Sequence, residues 1–288
     1  MVEVRPIKPL IGAEIFGVDL TNLSDADFEV IYQAWLDHHV LVIHGQKLGI
    51  EDFLNYSERF GPVEPHITKR TRHPVYPKLT VMGENKVQAD GKVDEMVAKR
   101  GEGWHTDTPY LQEPAKATQL YALAIPSYGG DTLFASQYAA YDALPAALKA
   151  RIANLNATYR YSGREGKNLG MLEPADRERP LTVHPVVRVH PETGRPALYV
   201  NPGHIMDIVG MERAEADVLL EELYKYSVLP EAEYRHKWQV GDVVIWDNRC
   251  LLHSAAGGYP LNEDRIHWRV TIMEDKSRWL KGLNAAAE

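Results

Sequence analysis

The sequence predicts a mainly β protein with flanking helices, and three observations carry that reading. Short runs rich in Val, Ile and Leu recur from one end of the chain to the other. Only four stretches show the i, i+3, i+4 apolar spacing of an amphipathic helix. The length, 288 residues, suits one large β core, since barrels and sandwiches reach this size as single domains. With no internal repeat and no linker, residues 1–288 read as one domain.

Taken in order, the run Leu10–Leu20 is punctuated by Gly12 and Gly17 and reads as a strand with turns. Ser24 opens a helix, with Asp27 placed as in a capping pair and Phe28, Ile31, Tyr32, Trp35 and Leu36 along one face. Val40–Ile43 is a strand. A second helix over about 50–60 carries Phe53, Leu54 and Phe60 and stops at Gly61-Pro62. Residues 63–100 read as loops around one strand, 79–82. A strand follows at 117–125, then a Gly129-Gly130-Asp131-Thr132 turn into Leu133-Phe134. Helical spacing returns over 136–153, interrupted at Pro145. Residues 157–180 hold Arg160, Arg164, Arg177 and Arg179 with little periodicity; they fit a solvated loop or a lid over a site. Strands at 186–189 and 197–200 flank a hairpin turn, His190–Gly194. A helix at 211–226 places Ala214, Val218, Leu219 and Leu223 on one face. Strands at 243–246 and 265–273 close the chain, and the tail 285–288 reads as frayed.

Composition excludes several classes. The formal charge is −8, from 32 basic and 40 acidic residues, which disfavours a nucleic-acid surface. A lone cysteine, Cys250, allows no internal disulfide and fits a reducing compartment. Met1–Pro6 contains no apolar leader core, and no run approaches 18 apolar residues, so a cytoplasmic protein without a membrane partner is expected.

The chemistry concentrates at Trp104-His105-Thr106-Asp107. In extended backbone, side chains two apart leave the same face, so His105 and Asp107 can reach one metal ion together. The best third ligand is His253, 146 residues after Asp107. Two histidines and one carboxylate form the facial set that leaves positions open on non-haem Fe(II). The last strand adds a second signal. Alternation puts Ile266, Trp268, Val270 and Ile272 on one face and Arg265, His267, Arg269 and Thr271 on the other. At roughly 3.3 Å per residue the two arginines are about 13 Å apart at Cα, too far to share one small carboxylate. Two anionic partners, each held by a planar guanidinium fork, suit an interior face; two solvated charges suit an exterior one.

These segments resemble the taurine dioxygenase / 2,4-dichlorophenoxyacetate dioxygenase (TauD/TfdA) family of Fe(II)/2-oxoglutarate-dependent oxygenases. Ile11–Leu20, Trp104–Asp107, Gly129–Thr132, Gly241–Arg249 with His253, and Arg265 with Arg269 follow the family's order and spacing over nearly the whole chain. The resemblance implies a double-stranded β-helix, a cupin-like jelly roll, with helices outside it. It implies His105, Asp107 and His253 as iron ligands and as the catalytic centre, with O2 and 2-oxoglutarate as cosubstrates. Thr132 and Arg265 match the positions that hold the distal carboxylate of 2-oxoglutarate. Arg269 matches the position that holds the anionic end of the primary substrate. Asp107 argues for hydroxylation, since halogenating relatives lack this carboxylate. His66, or His73 with Tyr76, fits the substrate-contacting position, while Lys69 and Arg70 in the same loop read as solvated charge. His204 stands where sulfonate-specific members have an aromatic residue.

The implied function is hydroxylation of a small anionic organic molecule of sulfonate, alkyl sulfate or aryloxy-carboxylate type, with succinate and CO2 as co-products. A homodimer or homotetramer is implied likewise. A zinc hydrolase on the same three ligands and a non-catalytic jelly-roll binding protein are the competing readings. The first has no need for two arginines at separate anion positions, and the intact metal ligands speak against the second.

Overall fold

A computed structural model describes residues 1–83, 101–166 and 169–275. The loop expected over 84–100, residues 167–168 of the arginine-rich stretch and the tail 285–288 lie outside the described residues. Strands outnumber helices among the described residues, and no helix there is long and apolar enough to cross a membrane.

The largest sheet has eight strands. Its order is Glu3–Lys8, Ile11–Phe16, Val40–Ile43, Val243–Asp247, Ala117–Ala124, Ile266–Ile272 and Val63–Glu64, with Thr80–Met82 also paired to Ile266–Ile272. All of these pairings are antiparallel except Ile11–Phe16 with Val40–Ile43. A second sheet places Thr132–Ser136 between Glu233–His236 and Leu251–Ala255.

The continuous apolar runs Val40–Ile43 and Val243–Trp246 make sense once both faces are traced. Leu41, Ile43, Val243 and Ile245 pack on one side with helices Asp25–His38 and Ile50–Glu58, through Phe28, Ile31, Trp35 and Phe53, and with Phe60 just past the second helix. Val40, Val42, Val244 and Trp246 point the other way, to Phe134 and Leu251 of the second sheet. A strand buried on both faces has no polar register, hence the unbroken apolar sequence. The closing strand follows the same geometry. Val270 and Ile272 join the helix side, so Arg265, His267 and Arg269 face inward, each at most 8% exposed. The solvated-face reading of the arginines is thereby excluded.

Some expectations shift by a register or gain structure. The helix Arg213–Ser227 buries Ala216, Leu219, Leu220 and Leu223, whereas Ala214 and Val218 are exposed. The true apolar stripe runs 216, 219, 220, 223, and Val218 falls on the opposite side of that turn. The stretch 157–180 is not structureless: Asn156–Tyr159 pairs with both Ile205–Ile208 and Thr182–Pro185 in a three-stranded sheet. Its bonding alternates too briefly to show as a strand pattern. Pro145 separates Gln137–Ala143 from Ala146–Ile152 as the spacing predicts. The hairpin turn is fixed by His190, whose Nδ1 accepts the amides of Glu192 and Thr193.

Behind the apolar layers lies an ionic cluster. Arg249, fully buried, donates to both carboxylate oxygens of Asp247 at 2.8 and 2.6 Å and to Glu192 at 2.6 Å. Glu192 also accepts Tyr32 Oη at 2.6 Å and faces Lys116 Nζ at 3.2 Å. This ties the hairpin to the first helix and to the strand that leads to His253. Burial pushes the Glu192 carboxyl up, but Arg249, Lys116 and the Tyr32 hydroxyl outweigh it and hold it at about 2. A depressed carboxylate pKa contributes stability that is complete above about 4.5 and is lost as pH falls towards about 2. Glu192→Gln is expected to lower stability at neutral pH and to flatten the acid limb of denaturant-unfolding curves across that window.

Candidate metal centre and active site

His105 lies outside the regular strands, yet its backbone forms a reciprocal pair with His253. The His105 amide donates to the His253 carbonyl at 2.9 Å, and the His253 amide donates back at 2.7 Å. Residues paired in this antiparallel manner project their side chains to the same face. The two imidazoles accordingly stand with ring centroids 4.2 Å apart. Asp107, two residues on, reaches the same spot, and its Oδ2 lies 3.7 Å from His253 Nε2. One ligand atom from each of the three sits within 4.8 Å of the others. Thr108 then turns the chain at φ 53°, a costly conformation for a β-branched residue, and its hydroxyl accepts the Ala115 amide at 2.7 Å.

The donors are set up for a dication. His105 Nδ1 lies 2.8 Å from the Gly103 carbonyl, which can only accept, so Nδ1 carries a proton and Nε2 is the ring atom left to face a metal. Burial, then the neighbouring His105, holds His253 neutral, well below the ordinary imidazole range. Burial pushes the Asp107 carboxyl up, but chiefly the Arg269 guanidinium, with the Thr118 hydroxyl, outweighs it, so the group stays ionised. Two imidazoles and one carboxylate at this spacing fit Fe(II).

The carboxylate is aimed by residues that sequence reasoning missed. Thr118 Oγ1 donates to Asp107 Oδ2 at 2.5 Å, and Asn248 Nδ2 donates to Thr118 at 3.0 Å. Trp246 Nε1 in turn fixes Asn248 Oδ1 at 3.0 Å. Asn248 sits inside the Gly241–Arg249 motif and was findable there; Thr118, one polar residue in an apolar strand, carried no distinguishing signal.

Both arginines border the same cavity, together with Thr132, His66, Tyr110, Tyr161 and His204. Arg265 Nε donates to the Gly130 carbonyl at 2.8 Å, and no carboxylate pairs with Arg265 among the described residues. The nearby acid Asp131 is held by Arg235 at 2.9 Å. Gly130 is needed here: at φ 70°, a Cβ would also lie 2.9 Å from the Arg265 side chain. Arg269 Nη2 is ion-paired with Asp107 Oδ1 at 2.8 Å, outside hydrogen-bond geometry, and makes no hydrogen bond among the described residues.

The substrate-loop candidates separate. His66 lines the cavity with Nδ1 accepting the Thr68 amide, whereas His73 and Tyr76 are not on that wall. The His73 ring caps its own turn, accepting the amides of Val75 and Tyr76, and Tyr76 donates to Glu51 at 3.2 Å. His204 sits beside His105 and joins Tyr110 and Tyr161 in an aromatic cluster, with centroids 5.1 to 6.1 Å apart. Burial, then His105, lowers its pKa to about 3, and its Nδ1 accepts the Ser162 amide, so Nε2 carries a proton.

The model of the taurine catabolism dioxygenase TauD, TfdA family matches residues 3–271. The chain belongs to the TauD/TfdA family. It is 35% identical to an (S)-phenoxypropionate/alpha-ketoglutarate-dioxygenase of Sphingobium herbicidovorans, over 95% of each chain. It is 33% identical to the alpha-ketoglutarate-dependent 2,4-dichlorophenoxyacetate dioxygenase of Cupriavidus pinatubonensis, over 95% of this chain and 98% of that one. A crystal structure of a taurine dioxygenase from Burkholderia xenovorans superposes with a TM-score of 0.78 at 33% identity, covering 95% of this chain and 91% of that one. In this TauD/TfdA member the centre also depends on a close backbone approach. A Cβ at Gly203 would lie 3.0 Å from the His105 Cβ. Gly203→Ala is therefore expected to displace the imidazole and weaken Fe(II) binding about tenfold, with thermal stability nearly unchanged. Metal titration beside a melting curve checks this.

Proposed function

We propose that this TauD/TfdA protein is an Fe(II)- and 2-oxoglutarate-dependent dioxygenase that hydroxylates a small anionic substrate, and that this substrate is an aryloxy-carboxylate. The observation that carries the reaction class is Arg265. A buried guanidinium with no carboxylate partner among the described residues calls for an anion, because an uncompensated interior charge is costly. It stands beside Thr132 and a His-Asp-His set in one cavity. A hydrolytic metal site has no use for such a cation.

His105, Asp107 and His253 would hold the metal. Fe(II), when bound, supplies the redox chemistry that couples O2 and the decarboxylation of 2-oxoglutarate to substrate hydroxylation. Arg265 offers its two terminal nitrogens, and Thr132 its hydroxyl, to the distal carboxylate of 2-oxoglutarate. Arg269, whose Nη2 is ion-paired with Asp107 Oδ1 at 2.8 Å, borders the same cavity and turns to the substrate carboxylate. Its pairing with Asp107 keeps that ligand ionised. His66 and the Nε2–H of His204 complete the polar rim, while Tyr110, Tyr161 and Trp246 give an aryl ring flat surfaces to pack against. Hydroxylation at the carbon beside the ether oxygen gives a hemiacetal-type product that collapses with C–O cleavage to a phenol and a carbonyl acid. The phenoxypropionate and dichlorophenoxyacetate enzymes among its relatives support the aryl-ether reading over a taurine-like one.

In the same reading, residues 1–288 are one dioxygenase domain and the facing sheets form a double-stranded β-helix, the jelly roll. The protein works in the cytoplasm, where a buried thiol such as Cys250 stays reduced, and assembles as a homodimer or homotetramer. Among phenoxyacetate, phenoxypropionate, hexyl sulfate and taurine, the aryloxy acids are expected to support the fastest 2-oxoglutarate-dependent succinate release. Arg265→Ala should raise the KM for 2-oxoglutarate at least tenfold and Arg269→Ala that for the aryloxy acid. Equal effects of both changes on both KM values contradict the assignment.

A further inference from the structure

The inner end of the cavity rests on a chain of contacts that the proposed chemistry leaves unused. Trp238, 7% exposed, donates its indole N–H to Thr132 Oγ1 at 3.0 Å. Two imidazoles pack edge-to-face against the indole: His236 at 4.6 Å between centroids and 86°, and His267 at 4.5 Å and 71°. His236 cannot rotate freely. Its Nε2 meets Asp242 Oδ2 at 3.1 Å and its Nδ1 meets the Tyr234 hydroxyl at 2.9 Å. Asp242, fully buried, also accepts the Gln239 amide at 2.9 Å and faces His44 Nδ1 at 2.7 Å. His267 has no hydrogen-bond partner at either ring nitrogen among the described residues, so it contributes shape to this packing.

We infer that Trp238 is a positioning residue for 2-oxoglutarate: it fixes the polarity of the Thr132 hydroxyl, and the Asp242–His236 pair holds it in place to do so. The reason is a count of donors. An indole N–H can only donate, and a hydroxyl has one proton beside two lone pairs. With Trp238 donating into Oγ1, the single Thr132 proton is left for an acceptor in the cavity. Arg265 brings a cation with further N–H donors to the same place, so the site presents donors alone. That selects a carboxylate over any neutral or cationic group. Without the indole N–H, the hydroxyl can rotate and present a lone pair to the incoming anion.

The inference rests on the assignment of Thr132 to the distal carboxylate, and a double-mutant cycle separates the two. Trp238→Phe keeps the aromatic packing and removes the N–H. The readout is the Kd for 2-oxoglutarate, measured by calorimetry on Fe(II)-loaded protein without O2. Trp238→Phe should raise that Kd about fivefold and leave the KM for the aryloxy acid and kcat at saturating 2-oxoglutarate unchanged. In the Thr132→Val background the same change should do nothing further, while in Thr132→Ser, which keeps the hydroxyl, it should act as in the wild type. Additive effects in Thr132→Val, or an unchanged Kd in Trp238→Phe alone, overturn the role of Trp238. An unchanged Kd in Thr132→Val overturns the Thr132 assignment beneath it. A measurement on wild-type packing covers the case in which Trp238→Phe fails to fold. In Zn(II)-loaded protein carrying nitrogen-15 tryptophan, 2-oxoglutarate should shift the Trp238 indole resonance, and a resonance that stays in place contradicts the inference.

Discussion

The centre depends on one pair of backbone hydrogen bonds, those exchanged between His105 and His253. They bring residues distant in sequence to side-by-side positions with a common facing, and the Ala255 amide on the Gly101 carbonyl at 2.8 Å and the Thr106 hydroxyl on the Asn248 carbonyl at 2.7 Å extend the same seam. Once they are paired, the period of two in extended chain carries Asp107 to the same point, and the metal set follows from local geometry. The neighbourhood then protects that pairing. The Gly203 amide bonds the Trp104 carbonyl at 3.3 Å, and the Asn201 side chain bonds the Thr106 carbonyl at 3.2 Å. Each contact holds the short irregular segment that carries two of the three ligands.

The second constraint is electrostatic. The helix-facing side of the large sheet is an apolar core, whereas its inner side carries charge beside the apolar residues that meet the second sheet. Arg265, Arg269 and Asp107 all lie in the inner space at low exposure. Buried charges of this kind are tolerable only when each has a partner, in the protein or in a ligand. Arg249 and Lys116 find theirs in Asp247 and Glu192 and serve the fold. Asp107 and Arg269 face each other, and Arg265 has none among the described residues. The same rule that makes one cluster structural makes the other receptive to anions.

The ligand set was legible because metal chemistry demands a few residue types, and family-like spacing around Trp104–Asp107 and Gly241–His253 marked them. The inward arginines were legible from alternation in a single strand. Loop residues were not, since nothing in a local pattern says which side of a turn meets the cavity. The segment after Gly61 offered His66 and His73 equally, and only tertiary placement puts His66 on the wall while His73 caps its own turn. Thr118, Tyr110 and Tyr161 went unnoticed for a related reason. A hydroxyl or ring in an apolar strand or a polar loop acquires its role from partners far away in the chain. The helix Arg213–Ser227 shows the smaller version of this limit, because two apolar stripes compete and packing chooses between them.

The most direct test of the account is the visible spectrum of the protein titrated anaerobically with Fe(II) and then 2-oxoglutarate. The account predicts a weak charge-transfer band at one equivalent of each in the wild type, and its loss in His105→Ala and His253→Ala. A wild type that develops no band, or variants that develop it undiminished, would contradict the assignment of this centre.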